Sequence, residues 1–204
     1  MTAPVTVESQ PPRSPRPKAA RIVTDVLQPR NVLLVGLTGF GALTHTGPAG
    51  AMWGLFASLC AGVVPAEYIE WERRRGTWGD RHVVDRHQRP RIFAVILASI
   101  GIGIAVMEGG GGPTDVEHSM IALWGMTVVL LTVNAVWKIS VDAAVVSSVV
   151  ALLASFHSPW WLLGYVLVVA VCWTRVALAY HSVAQTVAGA SLGAAAAAGV
   201  RLLS

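Results

Sequence analysis

Long apolar stretches recur along most of this chain, at 32–46, 49–70, 92–107, 119–137, 142–157, 160–174 and 182–203. A helix rises 1.5 Å per residue and needs about 20 apolar residues to cross a ~30 Å hydrocarbon core. Several of these stretches approach that length, and short polar or glycine-rich breaks separate them. Only 13% of the residues are charged and 54% are hydrophobic, against a soluble norm of about 25% charged. A water-soluble domain is excluded on that ground. The fold expected is all-α, a polytopic transmembrane helical bundle of about six or seven helices over residues 31–204, preceded by a disordered basic arm over residues 1–30. The arm is proline-rich (Pro4, Pro11, Pro12, Pro15, Pro17), carries Arg13, Arg16 and Lys18, and lacks the apolar core of a signal peptide.

Consecutive crossings alternate sides. Seven crossings put the amino terminus, the 71–91 segment and the junctions at 138–142 and 175–181 on one face. Every lysine and arginine except Arg201 falls there, whereas Glu108, Asp115 and Glu117 fall opposite. The positive-inside rule makes the basic face cytoplasmic, in a bacterial-type plasma membrane. Trp71, Trp137 and Trp173 near one boundary, with Trp160 and Trp161 near the other, suit two interfacial belts. Arg73, Arg74 and Arg75 read most simply as a juxtamembrane anchor. Cys60 and Cys172 sit in apolar runs without metal-ligand spacing and read as small buried residues.

Three polar clusters share the basic face: Asp80 to Pro90, Lys138 to Asp142, and Thr174-Arg175 followed by His181 and Gln185. Each sits at a helix end, where a charge reaches headgroups or lines a wet pocket without the cost of mid-bilayer burial. Arginine holds phosphate through paired N–H donors. A charge at the head of an apolar helix usually has a partner, so Asp142 is expected either to pair with Arg175 or Lys138 or to cap its helix. Gly189 and Gly193 permit close helix packing, expected within the chain.

These clusters resemble the motifs of the type 2 phosphatidic acid phosphatase superfamily, which includes the vanadium haloperoxidases. Thr174-Arg175, five residues and His181 match its S-R-x5-H frame. Arg89-Pro90 matches the end of its K-x6-R-P motif, with His82 in place of lysine. Ser140-Val141-Asp142 stands where the family has S-G-H, and Gln185 replaces a terminal aspartate.

The resemblance implies a phosphohydrolase for a lipid or isoprenoid phosphate or diphosphate that needs no cofactor. His181 would be the nucleophile, Asp142 the proton donor, and Gln185 the group orienting His181. Arg89, Arg175, His82 or Arg81, Lys138 and Ser140 would hold phosphate. The partners expected are that substrate and the bilayer, with no nucleic acid. Two alternatives remain open. Asp80, Asp85 and Asp142 would suit magnesium and a prenyl diphosphate lyase or cyclase, and an inactive relative would only bind anionic lipid.

Overall fold

The computed structural model describes residues 18–75 and 89–203. Every regular element among them is helical: α1 (Lys18–Val26), α2 (Pro29–Thr44), α3 (Pro48–Ser58), a π turn (Leu59–Val63), α4 (Val64–Arg74), α5 (Arg89–Gly110), α6 (Thr114–Val136), α7 (Val141–Phe156), a 3-10 turn (Pro159–Gly164), α8 (Tyr165–Ala177) and α9 (Val183–Leu203). Prolines open α2, α3 and the 3-10 turn, where the missing N–H would have no intrahelical partner anyway. Between α5 and α6 the chain reverses through Gly111 at φ 72°, and Gly112 N–H donates to Met107 O at 2.8 Å.

All seven apolar stretches are helical, but the count of membrane spans is lower than the expected six or seven. Five helical segments among the described residues are long and apolar enough to cross: Pro48–Arg74, Arg91–Gly110, Thr114–Val136, Pro159–Ala177 and Val183–Leu202. α2 and α7 have 16 residues each, or about 24 Å of helix, short of the hydrocarbon core. The protein is an all-α polytopic membrane protein. A second difference lies at the amino end. Lys18–Val26 within the expected disordered arm is a helix that packs on α8 with Ala20 fully buried; residues 1–17 lie outside the described residues.

Lipid is as apolar as a protein core, so helices in a bilayer associate through tight packing and polar contacts. The short helix α7 shows this best. Small and branched residues from Ala143 to Val150 are buried on every side, among α2, α8, α9 and the 3-10 turn. Gly189 and Gly193 let α9 lie directly against α7: a Cβ at either would overlap the carbonyl oxygen of Ser140 or Ala144. The contact is within the chain, as expected. A second close pair joins α2 to α3 through Gly41, Gly50 and Gly54, and the α2 and α7 sides meet where Phe40 packs edge-on against Phe156, centroids 5.3 Å apart.

The crossing formed by α3, the π turn and α4 has a defect that is repaired from outside. In the π turn Val64 N–H reaches back five residues to Leu59 O. The next donor in that register would be residue 65, which is proline. Cys60 O therefore lacks the backbone donor of that register, and Ser99 Oγ on α5 donates to it at 2.6 Å. Trp124 on α6 donates to Leu97 O at 3.1 Å, which ties the same stretch of α5 to its other neighbour.

Candidate active site

The last turn of α8 and the first turns of α7 and α9 meet at one end of the bundle. α8 stops in a Schellman reversal: Ala179 N–H donates to Val176 O and Tyr180 N–H to Arg175 O, each at 2.9 Å. The reversal places Ala179 at φ 57°. His181 N–H also donates to Arg175 O, at 3.2 Å. The five residues between Arg175 and His181 thus fold into a helix end and a turn, which returns His181 towards the arginine. A capping box then starts α9. Ser182 Oγ accepts from Gln185 N–H at 3.3 Å, and Gln185 Oε1 accepts from Ser182 N–H at 2.9 Å.

α7 begins against this turn. Ser140 is fully buried; its N–H donates to Gln185 O at 3.2 Å and its Oγ accepts from Ala143 N–H at 3.3 Å. Two residues on, Asp142 Oδ1 lies 3.2 Å from Arg175 Nη2. Arg175 is only 6% exposed, so this charge has left bulk water, and its Nε is buried without a hydrogen-bond partner. The Tyr180 ring lies 6.0 Å from the guanidinium carbon.

His181 Nδ1 lies 3.3 Å from Lys138 O. A carbonyl only accepts, so the hydrogen bond requires the proton on Nδ1, and the neutral ring then carries its lone pair on Nε2. Burial pushes the His181 pKa below the usual histidine value. The bond to Lys138 O and the Asp142 charge oppose that shift, while the Lys138 and Arg175 charges reinforce it. The lowered value keeps the imidazole neutral near pH 7.

The structure therefore gathers Lys138, Ser140, Asp142, Arg175, His181 and Gln185, but not all in the roles expected. Gln185 Oε1 is used in the capping box, and the Lys138 carbonyl is the group that faces the His181 ring. Ser140 is buried and caps α7, in place of the capping role considered for Asp142. Asp142 is paired with Arg175, as one expectation had it; an ionised carboxylate accepts and does not donate. Arg89 opens α5, whose main neighbours are α3, α4, the π turn and α6 and not α8 or α9. Asp80, Arg81, His82 and Asp85 lie outside the described residues. Among the described residues no three His, Cys, Asp or Glu side chains converge as metal ligands. A separate apolar pocket lined by Leu37, Leu123, Val149 and Ala197 touches none of the gathered residues.

The Lys138 carbonyl carried no sequence signal, because a backbone acceptor is not a residue type. The capping box did carry one: Ser182-x-x-Gln185 before an apolar run is its signature. Compared with protein-family models, curated proteins and solved structures, the chain matches none.

Proposed function

We propose that the protein is a membrane-embedded phosphohydrolase, acting on a lipid or isoprenoid diphosphate through His181, in the manner of the phosphatase superfamily its motifs resemble. The observation that carries this reading is the His181 Nδ1 contact to Lys138 O, which leaves Nε2 as a free nucleophile. In the first step Nε2 bonds to the terminal phosphorus and the bond from phosphorus to the leaving oxygen breaks. In the second, water attacks the phosphohistidine, regenerates the ring and releases inorganic phosphate. Arg175 stabilises charge on the transferring group. In the empty site Asp142 serves as the counter-ion of Arg175 and not as a proton donor, which favours a leaving group that departs without a proton, namely the phosphate of a diphosphate. The end of the bundle that carries Lys138, Arg175 and His181 is proposed to face the cytoplasm, on the positive-inside rule.

The test is phosphate release by the purified full chain from a prenyl diphosphate and a lipid monophosphate, with and without EDTA. Release is expected to prefer the diphosphate, to resist EDTA, and to fall about 10³-fold or more in His181→Ala. A neutral nucleophile with a lowered pKa also requires that activity persist as the pH falls to 6.5, the ordinary histidine value, and decline only below it. Undiminished release by His181→Ala would refute the mechanism. EDTA-sensitive release with a hydrocarbon product would assign the site to a diphosphate lyase or cyclase.

A further inference from the structure

We infer that the Asp142 carboxylate is a resident anion on Arg175, and that a phosphate group binds there by displacing it. The inference rests on the phosphate-site reading above and concerns how that site is held when empty. A guanidinium buried to this degree needs an anion beside it at all times. Asp142 supplies one, but incompletely. It meets Nη2 at 3.2 Å and leaves Nε, on the same edge of the guanidinium, buried and without a partner. A carboxylate seated face-on would satisfy both donors, and so would two oxygens of a phosphate.

Asp142 is also free to leave. Ser140 caps α7, so the carboxylate is not tied to the helix end, and its side chain is 20% exposed, which gives it a way towards water. Lys138, exposed and one turn earlier in sequence, is a second cation close enough for its charge to act on the same His181 ring. If the carboxylate stayed in place, two anions would share one guanidinium, an arrangement of like charges that opposes binding strongly. Displacement removes that repulsion and exchanges a one-point contact for a two-point one.

The experiment is titration of the purified full chain with inorganic phosphate by calorimetry, alongside thermal unfolding of each variant. Asp142→Asn keeps the shape and removes the charge, and is expected to bind phosphate roughly tenfold tighter or more than wild type. Asp142→Glu keeps the charge and is expected to show no gain. Arg175→Ala, alone or with Asp142→Asn, is expected to abolish binding. Equal or weaker binding by folded Asp142→Asn overturns the inference. Should that variant not fold, the wild type decides: phosphate must shift an aspartate carboxylate band in the difference infrared spectrum, and binding without that shift overturns it too. Turnover of prenyl diphosphate with no gain in Asp142→Asn removes the displacement and leaves the phosphatase standing. Absence of both phosphate binding and turnover in wild type and variant removes both.

Discussion

Two pairs of helices in this protein touch backbone to backbone, and they differ in what lies at the end of the seam. Between α2 and α3, Gly41, Gly50 and Gly54 face carbonyls across the gap, and the seam runs into the turn at Thr44 to Gly47, which has no acidic residue, lysine or arginine. Between α7 and α9, Gly189 and Gly193 do the same, but Gly189 sits against Ser140, next to Lys138, Asp142 and His181. Both seams solve one problem, holding helices together where the surrounding lipid offers no hydrophobic penalty for separation. Only the second also sets the position of charged groups. Close packing is thus a scaffold device in both places, and chemistry has been added at one.

The strongest way to break that comparison is to add one methyl group to each seam. Gly189→Ala would drive its Cβ into Ser140 O, and Gly41→Ala into Gly50 O. Neither neighbour is a flexible side-chain tip, so each substitution is expected to cost about 1–3 kcal/mol of stability or more, read from thermal unfolding in detergent. Activity should separate them. Gly189→Ala shifts Ser140, two residues from the carbonyl that holds His181, so phosphate release should drop well beyond the loss of folded protein. Gly41→Ala should lose activity only in proportion to unfolding. Equal specific activities in the folded fractions would mean that the α7 seam is scaffold alone.

A smaller effect tests a third contact, which relies on a side chain where the seams rely on glycine. Ser99→Ala removes the hydroxyl that satisfies Cys60 O at the π turn. Because residue 65 is proline, the backbone donor of the π register cannot take its place. A loss of about 1 kcal/mol is expected, by the same unfolding measurement and without a change in phosphate release. A null result would show that Cys60 O finds water or another donor.

The seams also mark what could be read from sequence and what could not. Apolar length and the polar or glycine-rich breaks gave helices close to those observed, because bilayer thickness and chain-breaking residues act locally. The number of full crossings was overestimated at α2 and α7, where 16 residues of apolar sequence serve burial among other helices. A helix apolar all round looks the same whether lipid or protein surrounds it. At the site, Arg175 with Asp142 was legible, since a buried charge demands a partner. The hydrogen bond from His181 to Lys138 O was not, because it depends on how two turns meet in space.

The smallest predicted effect, at Ala179, compares those turns directly. The α2–α3 turn has Gly47 at φ 89°, whereas the turn beside the site has Ala179 at φ 57°. Left-handed backbone costs a residue with a Cβ about 1–2 kcal/mol, partly offset by the greater entropy glycine loses on folding. Ala179→Gly should therefore stabilise the fold by about 0.5–1 kcal/mol, whereas Gly47, at φ 89° and ψ 177°, occupies a region essentially reserved for glycine, so Gly47→Ala should destabilise by about 1–3 kcal/mol. Thermal unfolding of both variants checks the signs. The two turns differ in a further respect that the activity assay reads. Ala179 stands between Arg175 and His181 and restricts the backbone that connects them, while Gly47 connects none of the gathered site residues. If the strain at Ala179 serves only to close α8, Ala179→Gly gains stability and keeps full phosphate release. If the restricted backbone also positions His181, the same variant is more stable and slower, and Gly47→Ala shows no matching change in rate.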